Sequence, residues 1–139
     1  MILDNLLPML TGLAAVLGFM ALYTLLTPHN EQKLINKNNV AASIAFVGVL
    51  IGYGLTILGL VLNALPYDEF LMWSGVAAAF QLSVFIGYRR MIPGLSKRIE
   101  DGQIAPALQM AGLALVVGML LMAVTVNLES AAQMASLAG

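Results

Sequence analysis

Between Asn38 and Asn63 the chain reads NNVAASIAFVGVLIGYGLTILGLVLN, about two dozen residues without a charge. An uncharged run of that length crosses a hydrocarbon core of roughly 30 Å as a helix. Its small residues recur at Ala41, Ala45, Gly48, Gly52 and Gly59, with Leu55 filling the one gap. Steps of four and three keep all six on one helix face. A face with so little side chain lets a second helix backbone approach closely, and Gly48-x-x-x-Gly52 is the smallest form of that device.

Three more segments have the same character: about Leu6–Thr27, closed by Pro28; about Phe70–Tyr88, closed by Arg89-Arg90; and Ile104–Val126. With 60% hydrophobic and 9% charged residues and a mean hydropathy of +0.92, a chain of 139 residues has no room to hide its apolar surface from water. The bilayer is its solvent. Met1-Ile-Leu-Asp-Asn lacks the basic start of a cleaved signal peptide, so the first segment reads as a retained span. The LESAAQMASLAG tail is weakly amphipathic and reads as an interfacial turn of helix or as disorder.

Every Lys and Arg (Lys33, Lys37, Arg89, Arg90, Lys97, Arg98) lies in the stretches after the first and third spans. The termini and the central loop carry only Asp4, Asp68, Glu69 and Glu129. Positive charge stays in the cytoplasm, so both basic loops are expected there and both termini outside.

The chain also resembles itself at an offset near 64. Lys33 and Ile35 match Lys97 and Ile99, while Ala41, Gly48, Gly54 and Asn63 match Ala105, Gly112, Gly118 and Asn127. Thr-Gly-Leu-Ala-Ala at 11–15 matches Ser-Gly-Val-Ala-Ala at 74–78. Chance likeness between two Ala/Gly-rich segments is the competing reading. The expectation is an all-α integral membrane protein: one membrane domain over 1–139, with repeats at about 1–65 and 66–130 and a short tail. Its four transmembrane helices form two tandem hairpins of the same orientation, related by an axis along the membrane normal.

Each span carries a small-residue stripe. Besides the second, Gly75, Ala79, Ser83 and Gly87 mark the third, Ala107, Ala111, Ala114 and Gly118 the fourth, and Thr11, Ala14, Gly18 and Ala21 the first. Packing within the bundle accounts for any one stripe, with Gly112 and Gly118 as the repeat partners of glycines in the second span. Stripes on all four helices exceed what a lone bundle needs, which points to a homo-oligomer.

No Asp, Glu, Lys, Arg or His lies inside a span, and such residues are the usual mark of pumps and proton relays. The polar candidates are Ser43, Gln81 and Gln109. Helix-to-helix hydrogen bonding is the simpler reading of the glutamines; the sharper one is a polar path at an oligomer axis. Asn38-Asn39 and Gly102-Gln103 stand before the second and fourth spans, where Asn39 would cap a helix. Lys33, Lys37, Arg89, Arg90, Lys97 and Arg98 set topology and are candidates for docking anionic lipid or an acidic peripheral membrane protein.

There is no cysteine, one histidine (His29), no nucleophile triad, no phosphate loop and no metal-ligand spacing. No enzyme activity, cofactor or metal is expected, and the net charge of -1 offers nucleic acid nothing to bind.

The duplicated hairpins, the Asn-x-Ala-Ala start of the second helix and Gly48-x-x-x-Gly52-Tyr53-Gly54 resemble the YjfL-type small bacterial inner-membrane proteins. That family is of unknown function and is built from a duplicated two-helix unit. Its usual Gly-Asn before the second helix is altered here: Asn38 replaces the Gly, and the second repeat keeps Gly102 but has Gln103. Its members are similar in being encoded beside phage-shock-type peripheral membrane proteins and ligases resembling glutathionylspermidine synthase. The resemblance implies the inner membrane and an envelope-stress setting, and carries over no functional residue. The combined expectation is a self-associating membrane scaffold or stress component. An oligomeric channel for a small solute or ion is the alternative.

Overall fold

A computed structural model describes the backbone of residues 2–27 and 31–139, and the side chains of all of these except 2–5, 128, 129, 131 and 132. All regular structure among the described residues is helical: α1 (Ile2–Leu26), α2 (Glu31–Asn36), α3 (Val40–Leu62), α4 (Tyr67–Met91), α5 (Leu95–Glu100) and α6 (Ile104–Ala138). Apolar stretches of 21, 23, 25 and 24 residues in α1, α3, α4 and α6 are long enough to cross a membrane. In lipid a backbone must satisfy its own N–H and C=O groups, and a helix does so within one segment. Pro28 and His29 lie outside the described residues, as do the side chains of Asp4 and Glu129.

The hub is α3, which packs against α1, α4 and α6. Its contact with α6 runs the length of the span: Gly48 meets Ala111, Gly52 meets Ala114 and Gly118, and Gly59 meets Met122 and Thr125. Residue numbers rise together along this seam, so α3 and α6 are parallel. The other side of α3 is filled by aromatic rings. Phe19 stacks on Tyr53 with centroids 4.2 Å apart, and Tyr23 meets Phe85 edge-on at 5.0 Å. The Tyr53 hydroxyl donates to the Ser74 carbonyl at 3.0 Å, tying α3 to α4 without leaving a polar group in hydrocarbon.

The structure differs from the sequence expectation at three places. The basic stretches, read as loops, contain the short helices α2 and α5. Each buries one face against the bundle, through Glu31 in α2 and through Leu95 and Ile99 in α5. The tail, read as a turn or disorder, continues α6 to Ala138, since nothing after Asn127 breaks a helix. Tyr67, Asp68 and Glu69 belong to α4, where the two carboxylates suit the first turn.

The turns after α2 and α5 are built alike. Asn38 has φ 60° and Gly102 φ 80°, the left-handed conformation that ends a helix. Asn38 and Asn39 donate backbone N–H groups to the carbonyls of Ile35 and Leu34, both at 2.9 Å. Gly102 and Gln103 do the same to Ile99 and Arg98, both at 3.0 Å. Asn tolerates this conformation better than other side chains, which explains how Asn38 can stand where the second turn has Gly.

Candidate functional site

The chain's most exacting geometry is the α3–α6 seam. A Cβ on Gly48 would collide with Cα and Cβ of Ala111, and one on Gly118 would run into the Gly52 backbone. A Cβ on Gly52 would strike the Ala114 carbonyl and come within 2.7 Å of Gln81 Nε2. One on Gly59 would lie 2.8 Å from Thr125 Oγ1. These glycines exist because backbone touches backbone. Ala41 and Ala45 are fully buried beside them. Thr56 Oγ1 reaches the Gly118 carbonyl at 3.4 Å, a long contact.

Gln81 stands where α4 crosses this seam. It is 2% exposed, its Nε2 donates to the Val49 carbonyl at 3.3 Å, and its Oε1 has no protein partner. It also lines a cavity of about 20 Å³ with Tyr88, Met110 and Val117, room for about one water molecule. Ser43 is half-buried and donates to the Asn39 carbonyl.

Gln109 requires a correction: read as a buried contact, it lies on the exposed side of α6. The reason is the rotation of α6, which turns Ala107, Ala111 and Ala114 inward instead. The Tyr88 hydroxyl donates to Gln109 Oε1 at 3.3 Å, so the side chain still has a partner. The small stripe of α4 is likewise outward. Gly75, Ala79, Ser83 and Gly87 are all exposed, and a Cβ on Gly75 or Gly87 would meet nothing within 4 Å. The same holds for Gly112.

The six basic residues collect at the end of the bundle where α3 and α6 begin. Lys33, Lys37, Arg90, Lys97 and Arg98 are exposed and Arg89 is half-buried. Arg98 Nε donates to Gln103 Oε1 at 2.8 Å. A groove of about 600 Å³ between the two turns is lined by Lys37 and Asn39 but also by Glu100 and Asp101, so its charge is mixed.

Two residues matter more than the sequence reading allowed. Glu31 sits in a polar stretch, yet it is 1% exposed and accepts the Tyr23 hydroxyl at 2.8 Å. The sixty-four-residue offset read from the sequence sets it opposite the apolar Leu95, which is also buried. Asn39 caps α3 through Oδ1 to Ala42 N–H at 2.9 Å, as its sequence predicts, but it also bridges the halves. Its Nδ2 donates to the carbonyls of Ile99 and Glu100, at 3.1 and 3.0 Å, at the end of α5. Gln103, its counterpart, makes no side-chain cap. Among the described residues no group of three or more His, Cys, Asp or Glu could hold a metal ion.

Four apolar helices, close glycine seams and polar groups tied off between helices define a polytopic α-helical membrane protein. Residues 2–125 match the model of a family described as a domain of unknown function, DUF350. Two relatives are named UPF0719 inner membrane protein YjfL, one from Escherichia coli K12 and one from Escherichia coli O157:H7. Each is 40% identical over 107 residues, covering 77% of this chain and 81% of its own. The chain belongs to this family, as the resemblance carried by Gly48–Gly54 implied. No solved structure matches it.

Proposed function

We propose that this protein is a non-enzymatic, multi-pass component of the bacterial inner membrane that self-associates and serves as a scaffold. The inner-membrane name of its relatives supports the location. The observation that carries self-association is the outward small-residue surface. Gly54 and Gly112 have open space around them, although glycine weakens a helix interior and needs a reason to be there. The same reading takes the chain as two tandem hairpins with both termini outside the cytoplasm. The paired turns at Asn38 and Gly102, sixty-four residues apart, support the duplication. In that orientation Lys33, Lys37, Arg89, Arg90, Lys97 and Arg98 face the cytoplasm, where anionic lipid or an acidic peripheral protein would dock. An envelope-stress role fits such a platform.

Native mass spectrometry in mild detergent and in nanodiscs tests self-association. Masses of several subunits are expected, and a single-subunit mass in both media defeats it. Cysteine accessibility at Gly94 and at Leu137 tests orientation, with labelling by an impermeant reagent in intact spheroplasts expected at Leu137 alone.

A further inference from the structure

The seam inside one chain joins two different faces of two matching helices. Helix α3 contributes the face of Ala45, Gly48, Gly52 and Gly59, whereas α6 contributes that of Ala107, Ala111, Ala114 and Gly118. Shifted by the repeat offset of sixty-four, the α3 face falls on Gln109, Gly112, Val116 and Ala123 of α6. All four are exposed, and Val116 is 53% so. Shifted back, the α6 face falls on Ser43, Val47, Leu50 and Gly54 of α3. None of these is fully buried, Val47 is 47% exposed, and a Cβ on Gly54 would meet nothing within 4 Å. Each helix therefore uses one half of a matched pair of faces and leaves the other half uncovered. On α3 the two halves point to nearly opposite sides, at 3.6 residues per turn.

We infer that copies of this chain associate side by side through α6 of one copy on α3 of the next, repeating between molecules the seam made within each. The inference rests on the self-association and tandem-repeat reading above and names its interface. The in-chain register carries over directly. Gly48 on Ala111 becomes Gly112 on Val47 of the next copy. Gly52 on Gly118 becomes Val116 on Gly54, and Gly59 on Met122 becomes Ala123 on Leu58. One side of each of the first two crossings keeps its glycine, so the backbones can still approach closely. At the fully buried Ala45 and Ala107 positions, the pair becomes Gln109 and Ser43. The Ser43 hydroxyl donates to Asn39 and keeps its lone pairs for a Gln109 amide N–H, a polar contact suited to helices in lipid. Because the two faces differ, the contact is head-to-tail and builds a ring or a row of parallel copies, not a two-fold dimer.

The chain has no cysteine, which makes the test clean. Gly112→Cys and Val47→Cys chains with different tags are co-expressed and oxidised in native membranes. A disulfide joining the two variants is expected, and the double variant Gly112→Cys/Val47→Cys should give a ladder of linked copies. Disulfides only between identical variants overturn the inference, as does cross-linking through Gly75→Cys or Gly87→Cys in its place. Gly112→Leu should reduce the assembly to single subunits by native mass spectrometry with an unchanged circular dichroism spectrum, while Gly75→Leu leaves the assembly intact. Oligomers that persist in Gly112→Leu overturn this interface alone. A wild-type chain that is single in both detergent and nanodisc overturns the self-association reading beneath it.

Discussion

At the end of the bundle where α3 begins, Glu31 holds the position that Leu95 holds sixty-four residues later. Glu31 and Leu95 are equally hidden, at 1% and 2% exposure. One half buries a carboxylate beneath a tyrosine hydroxyl; the other buries a leucine. The same contrast runs through the spans. In α3 the face with Gly48 is covered, and the matching face of α6 with Gly112 is not. Similar local sequence thus yields a covered core in the first half and an available surface in the second. The difference lies in which face the neighbouring helix reached.

The comparison breaks most sharply at the matched glycines. Gly48→Val forces a branched side chain into the Ala111 backbone and should destabilise the chain by about 3 kcal/mol or more. Gly112→Val, its counterpart, should cost the single subunit under about 0.5 kcal/mol. Unfolding in mixed micelles measures both, and equal losses would erase the distinction between the two faces.

The turns come next. Asn39→Ala removes a helix cap and two bonds to α5 and should cost about 2 kcal/mol. Gln103→Ala removes no cap and should cost less than about 0.5 kcal/mol. A similar loss at both positions would mean that Asn39 does not tie the halves together.

Tyr23→Phe should cost about 1.5 kcal/mol by taking a hydroxyl from the buried Glu31. Glu31→Leu copies the second half at this position. With both changes the loss should fall short of the sum of the single losses by about 1 kcal/mol. Strict additivity in the double-mutant cycle would show that the 2.8 Å hydrogen bond carries no coupling energy.

A small effect is expected at Gln81→Leu, which removes one long bond to Val49. Such contacts between membrane helices average about 0.6 kcal/mol. Solute and ion flux through proteoliposomes should be the same for wild type and variant. A change in flux would favour the channel reading over interhelix bonding.

The four spans were legible because hydrocarbon thickness imposes a length and a polarity that few sequences mimic. The seam face of α3 was legible because five small residues keep strict helical spacing. Which stripe faces inward elsewhere was not, since α4 and α6 carry equally good stripes and only tertiary packing chooses among them. Helices α2 and α5 escaped because six polar-rich residues are too few to display a period. Glu31 escaped because charge in a loop reads as solvated, and the Tyr23 hydroxyl that makes its burial tolerable comes from another helix. Asn39 was legible as a cap but not as a bridge, because its second set of partners lies sixty residues away.

The seam between α3 and α6 also constrains the order in which the protein can be completed. Of the four spans, α6 emerges last from the ribosome, after α1, α3 and α4 have had time to enter the bilayer. Until it arrives, the bare backbone of Gly48, Gly52 and Gly59 lies open along α3. A chain stalled before Ile104 therefore displays an unfilled slot in the membrane. That slot is the feature by which an unfinished molecule differs from a finished one.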